Sequence, residues 1–202
     1  MISGSGQGRL LRADDTFIHR PARPRAGEDT ATLGVVVQVP EPRAQLLVHW
    51  RGKCGDPQAS LVPPHVTLLP PTEVAVRERE TISAHLAAVA TAHAAFDLHL
   101  AGTGTFRPVS EVVFLAVARG TADCERLATH VRTGPLARPL SFPYHPHVTV
   151  AHDVPTDMLD MAYGALADLR AEFRVTSFTE YEQQPGGAWA VAREYPLTGP
   201  PR

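Results

Sequence analysis

Pro64-His65-Val66-Thr67-Leu68 and Pro146-His147-Val148-Thr149-Val150 are two copies of one pattern, and they decide how the rest of the chain is read. Each copy is apolar and β-branched, and each histidine follows a proline, which favours extended backbone in the residue before it. If both are strands, side chains at i and i+2 share a face. His65 and Thr67 then point one way and Val66 and Leu68 the other; His147 and Thr149 repeat this against Val148 and Val150. A strand that buries valine on one side and shows an imidazole and a hydroxyl on the other carries chemistry on its open face. Here that happens twice.

The elements around the two copies also repeat. Residues 32–39 form a continuous β-branched run stopped by Pro40, as expected of a buried strand. Pro42 suits a first helical turn, and residues 44–50 read as a short helix broken by Gly52, Gly55 and Pro57. Pro70-Pro71 is expected to end the first His/Thr strand. A helix is expected from Val74 to about His93, with Ile82, Leu86, Val89 and His93 on one face and Glu73 near its positive end. Phe96, Leu98 and Leu100 alternate as a strand, and residues 112–118 form another. Cys124, Leu127, Ala128 and Val131 mark a helix before the proline-rich loop 139–146. After the second His/Thr strand, Pro155 and Asp157 open a helix whose face is Leu159, Ala162, Tyr163, Leu166 and Leu169. Residues 173–181 and 189–197 read as two closing strands around Pro185-Gly186-Gly187.

The order is strand, helix, His/Thr strand, helix, strand, given twice with one strand added, and the two histidines are 82 residues apart. The expected fold class is α+β: a bilobal duplicated unit, with antiparallel sheets lining a central cleft and helices on the outside. Residues 1–30 have too little apolar content to offset the entropy of ordering and are expected to be a flexible N-terminal extension. Residues 31–202 are then the two-lobed domain.

Composition narrows the function. A formal net charge of -2 supplies no general attraction to nucleic acid, so any grip on RNA must be local. Lys53 is the only lysine, and it sits in no nucleophilic context, which disfavours ATP-dependent ligation. Cys54 and Cys124 match no metal or redox spacing and read as two ordinary thiols. No apolar run approaches the ~18 residues of a membrane span, and the N-terminus lacks the apolar stretch of a secretory signal. A cytoplasmic monomer is expected. No serine sits in a Gly-x-Ser-x-Gly turn, and no phosphate-binding Gly-Lys-Ser/Thr loop is present.

Two imidazoles across a groove can act as base and acid on one substrate near neutral pH. Thr67 and Thr149 add hydroxyl donors, and neither motif contains a carboxylate. Four converging donors suit an anion such as a phosphate. The chemistry that fits is displacement at phosphorus, with one histidine activating the nucleophile and the other protonating the leaving oxygen.

The motifs HVTL at 65–68 and HVTV at 147–150 resemble those of the 2H phosphoesterase superfamily, in particular the LigT-like 2′-5′ RNA ligase and RNA 2′,3′-cyclic phosphodiesterase family. PPHVTLLPP, GTGTFRP leading into VVFLAVA, FPYHPHVTVAH and the closing YPL agree, so the resemblance covers roughly residues 32–197. It implies a bilobal fold with His65 and His147 catalytic, Thr67 and Thr149 on the substrate phosphate, and no metal or other cofactor. The substrates it implies are RNA ends or cyclic nucleotides carrying 2′,3′-cyclic phosphates, with reversible 2′-5′ joining in some relatives. Where relatives often carry an arginine after the second motif, this chain has Ala151-His152, so His152 stands as a weaker phosphate contact.

Further candidate contacts are Phe106 and Tyr144, which could stack on a base, and Arg107, which could meet a phosphate. Two other classes compete: an RNA- or nucleotide-binding module with little turnover, and a metal-dependent hydrolase built on His145, His147 and His152.

Overall fold

The computed structural model describes residues 24, 27–140 and 142–201, so the extension expected over residues 1–30 lies almost wholly outside the described residues. In chain order the elements are β1 (Thr30–Gln38), α1 (Arg43–Lys53), β2 (His65–Ala75), α2 (Arg79–Ala92), β3 (Phe96–Thr105) and β4 (Val112–Arg119). They continue with α3 (Thr121–Val131), β5 (His147–His152), α4 (Thr156–Ala165), β6 (Arg170–Val175), β7 (Ser177–Gln183) and β8 (Trp189–Pro196).

All the strands join one eight-stranded sheet in the order β6-β3-β4-β5-β2-β1-β7-β8, and every pairing is antiparallel. The motif strands β2 and β5 meet at its middle through the pair Val66–Val148. The duplication expected from the sequence is present as β1-α1-β2-α2-β3 followed by β4-α3-β5-α4-β6, with β7 and β8 added. The two units exchange strands: β3, from the first, pairs with β4 of the second, and β7 returns to pair with β1. The expected lobes are therefore the two halves of a single sheet.

Alternation along the strands sets what faces the helices. Leu33, Val35 and Val37 of β1 join Leu47 of α1, Leu86 of α2, Leu127 of α3 and Leu159 of α4 in one buried cluster. Each fully buried side chain of this kind contributes roughly 1.5–3 kcal/mol relative to exposure. The other face of the central strands carries the polar motif residues.

Several local expectations change. β2 does not end at Pro70-Pro71 but runs through them to Ala75. Both prolines are exposed and lie where the β1–β2 register shifts between Leu33 and Val35. A proline, having no N–H to give, is tolerated at such an irregularity. The helix expected from Val74 therefore begins at Arg79, because Val74 and Ala75 pair with Ala31 and Thr30 and are buried in the strand. Glu73 is a strand residue that accepts a hydrogen bond from Thr30 Oγ1 at 2.9 Å. Residues 173–181 are not one strand: the chain breaks at Thr176, with β6 pairing β3 at one edge and β7 pairing β1 in the other half. α1 is also longer than expected, since Gly52 stays helical.

At the start of α2, Arg79 reaches Glu180 of β7 at 3.1 Å and Glu182 at 3.0 Å. Tyr195 Oη donates to Glu180 Oε2 at 2.7 Å, and the Glu180 carboxylate is almost wholly buried. Arg79→Ala leaves that charge without its cation. The expected loss is about 3 kcal/mol, read as a lower denaturant midpoint with an unchanged slope.

Cys54 and Cys124 are buried and unpaired, and burial pushes the Cys124 thiol up to about 12. Among the described residues no helix is long and apolar enough to cross a membrane.

Candidate active site

The Val66–Val148 pair fixes how the two motifs face each other. In an antiparallel register the neighbours of a matched pair are matched in turn, so His65 stands across from Thr149 and Thr67 across from His147. Val66, Leu68, Val148 and Val150 are fully buried under the helices, and the four polar residues are half-buried on the opposite face. The alternation read from the sequence holds on both strands.

The two imidazoles are held in the same way. His65 Nδ1 lies 2.6 Å from the Pro63 carbonyl oxygen, and His147 Nδ1 lies 2.7 Å from that of His145. A carbonyl oxygen only accepts, so each Nδ1 carries the hydrogen and each Nε2 is left to exchange a proton. The X-Pro-His order places this acceptor: the proline holds the preceding residue extended, and its carbonyl meets the ring two residues on.

Their surroundings differ. His147 is backed by aromatic rings, with Phe106 edge-on at 5.0 Å and Phe114 at 5.1 Å between centroids. Phe114 in turn lies over Gly104, where an added Cβ would come within 2.5 Å of the ring. Gly104, Phe106 and Phe114 thus build the wall behind His147. On the other side, Arg51 at the end of α1 is only 6 % exposed and Asp56 only 8 %. Arg51 Nε donates to Asp56 Oδ2 at 2.8 Å, and Arg51 Nη1 donates to the Val62 carbonyl. Asp56 Oδ1 accepts from the Gln58 amide at 2.8 Å.

Arg51 and Asp56 line a cavity of about 300 Å³ with His65, Thr67, Thr149 and His152, and its walls include Tyr181 and Trp189. His147 lies outside that lining, against its two phenylalanines. Burial is the main reason both imidazoles hold a proton less readily than usual. For His65, Arg51 and His147 push the same way and the Pro63 carbonyl opposes them. For His147, His145 adds to the burial effect and the hydrogen bond to the His145 carbonyl opposes it.

The remaining candidates fall in different places. His152 lines the cavity, with Nε2 3.4 Å from Asp153 Oδ2. Phe106 packs on His147 and on Phe114 at 4.5 Å, so it supports the imidazole. Tyr144 is outside the cavity lining: it packs on the core, donates to the Thr67 carbonyl at 2.8 Å and lies 4.7 Å from the Arg132 guanidinium. Arg107 turns to α4, where Nη2 donates to Asp160 Oδ1 at 2.7 Å. The rings of His145 and His147 have centroids 6.0 Å apart. Among the described residues, no three or more His, Cys, Asp or Glu are grouped to hold a metal ion.

Sequence reading missed Arg51, Asp56, Tyr181 and Trp189. An Arg and an Asp five residues apart across a glycine-containing helix end is a weak signal, and the two aromatics reach the site only through the pairing of β7 with β1.

The 2′-5′ RNA ligase superfamily matches residues 39–187. Two Bacillus proteins that each carry the name "Putative phosphoesterase" are similar along most of the chain. The one from Bacillus cytotoxicus is 30% identical over 151 residues, covering 75% of this chain and 82% of its own. The one from Bacillus mycoides is 28% identical over 167 residues, covering 82% and 96%. Among solved structures, E. coli LigT complexed with 3′-AMP superposes with a TM-score of 0.63 at 21% identity, over 84% of this chain and 99% of that one. A crystal structure described as a phosphoesterase gives 0.64 at 22%, with the same coverage. At these identities the superpositions show a shared fold, and the sequence match carries the kinship. The chain belongs to the 2′-5′ RNA ligase superfamily, a family of 2H phosphoesterases.

Proposed function

We propose that this protein is a phosphodiesterase that opens 2′,3′-cyclic phosphates on RNA ends or nucleotides, using His65 and His147 as its acid and base. One observation carries the reading: both imidazoles are fixed by the same Nδ1-to-carbonyl hydrogen bond, which leaves two Nε2 atoms free on the open face of adjoining strands. Membership of the family supports the phosphoester substrate.

In the forward direction one neutral imidazole takes a proton from water as its oxygen bonds to phosphorus. The bond from phosphorus to one ribose oxygen breaks, and the other histidine, charged, gives that oxygen its proton. Thr67 and Thr149 donate to the non-bridging oxygens, where negative charge accumulates. With a ribose 5′-hydroxyl in place of water as the nucleophile and the 3′ oxygen as the leaving group, the same step joins 2′-5′ ends, and its reverse opens such a joint to the cyclic phosphate. Two imidazoles supply both proton transfers, so no metal is required. The test is turnover of 2′,3′-cyclic nucleotides and of short RNAs ending in a 2′,3′-cyclic phosphate, with and without EDTA. Activity that survives chelation is expected; turnover that chelator abolishes refutes the reading.

The pH profile follows from the surroundings of the two rings. The productive free enzyme holds one proton on the pair. Both imidazoles are shifted below the ordinary 6.5, so kcat/KM is expected to be bell-shaped with its maximum on the acid side of that value. A bound phosphodiester anion stabilises the imidazolium, so the kcat profile should lie at higher pH. A monotonic kcat/KM profile, or a maximum on the alkaline side of neutrality, contradicts a paired-histidine site.

A further inference from the structure

The cavity extends past His65, Thr67 and Thr149, and its walls include the aromatic side chains of Tyr181 and Trp189. Along β1, Leu33, Val35 and Val37 join the core, while Gly34 and Val36 line the cavity. Val36 pairs with Thr67 of β2, and Gly34 pairs with Tyr181 of β7. Gly34 has no positive φ, so its backbone does not call for glycine. What needs the missing side chain is Trp189: a Cβ on Gly34 would stand 3.3 Å from the indole Cζ3. The indole therefore lies against the β1 backbone and forms part of the cavity wall. The Trp189 backbone amide donates to the Leu61 carbonyl at 3.3 Å, which ties the start of β8 to the loop before the first motif. Tyr181, in the wall of the same cavity, is fixed by a 2.7 Å hydrogen bond from Gln38 Nε2 to its hydroxyl. Two residues along a strand span ~7 Å, so the ring's seat at Gly34 is about that far from Val36, opposite Thr67. A ribose bridges such a gap.

We propose that Trp189, seated on Gly34 beside Tyr181, is the nucleobase platform of this site, stacking the base of the nucleoside whose phosphate lies on His65, Thr67, His147 and Thr149. This rests on the phosphoesterase reading above. Stacking of a base on an aromatic ring tolerates any base, so the subsite selects nucleosides over other phosphoesters rather than one base over another. Phe106 and Tyr144, the aromatics that sequence alone suggests for stacking, are occupied elsewhere.

The test compares 2′,3′-cyclic AMP with methyl riboside 2′,3′-cyclic phosphate, which keeps the reacting group and lacks the base. In the native protein the nucleotide is expected to have at least a tenfold higher kcat/KM. In Trp189→Ala that ratio should fall about tenfold, mainly through KM, and Trp189→Phe should restore most of it. Gly34→Val, which intrudes on the indole from the strand side, should lower the ratio in the same direction. Equal values for the two substrates in the native protein overturn the subsite, as does a Trp189→Ala loss that is the same for both. Calorimetric titration with 3′-AMP and with inorganic phosphate separates this inference from its parent, because it needs no turnover. Tighter binding of 3′-AMP that is lost in Trp189→Ala supports the platform even where neither ester is cleaved. Equal binding of the two refutes it even where both are cleaved.

Discussion

His65→Ala and His147→Ala are each expected to lower turnover of a 2′,3′-cyclic nucleotide by two to four orders of magnitude, the range typical of losing a positioned general acid or base. The two losses should be alike, because the two rings are held by the same hydrogen bond on facing strands. They should also be far from additive: once one proton transfer is lost, the other group has little left to do. Thr67→Ala and Thr149→Ala should cost less, since each removes one donor from an anion that other groups still hold. Stability should change little in any of these variants, because the four side chains lie on the open face and the core is built by Val66, Leu68, Val148 and Val150. Full activity in both histidine variants would mean that the motif residues are not the reacting groups. Circular dichroism and a thermal melt on each variant separate loss of chemistry from loss of fold.

The parts of this site that were legible in the sequence are those set by local rules. Alternation within HVTL and HVTV announced which side chains share a face, and the proline before each histidine announced extended backbone. Both statements concern neighbours along the chain, so they survive whatever the rest of the fold does. The helix faces of Ile82, Leu86 and Val89, and of Cys124, Leu127, Ala128 and Val131, were legible for the same reason. The misreadings come from partners distant in sequence. Pro70-Pro71 looks like a terminus until β1 pairs on both sides of it and carries the strand to Ala75. Residues 173–181 look continuous until β3 claims the first part and β1 the second. Tyr181 and Trp189 belong to the cavity because of that second claim alone. A hairpin at the end of the chain carries no local mark of which strand it will join.

Arg51→Met is expected to have two effects that can be told apart. The first is stability: the Asp56 carboxylate, only 8 % exposed, loses its charge partner, and breaking a buried ion pair from one side costs about 3–5 kcal/mol. The second is the pH dependence. Arg51 is a fixed positive charge that opposes protonation of His65. Removing it raises the affinity of His65 for a proton, so one limb of the kcat/KM profile, the limb set by His65, should move to higher pH. The limb set by His147, where Arg51 is not among the groups acting on the ring, should hold. The double variant Arg51→Met with Asp56→Leu separates the two effects. Replacing both members of a buried pair by apolar groups is often neutral or stabilising, so the denaturant midpoint should recover most of its loss. The limb should stay displaced, because the charge is still absent. If the limb returns with the stability, Arg51 acts only through the fold. If the limb stays displaced in a restored fold, Arg51 sets the proton affinity of His65 directly. That outcome would break the apparent equivalence of the two motifs, because a permanent cation stands beside His65 and aromatic rings stand behind His147.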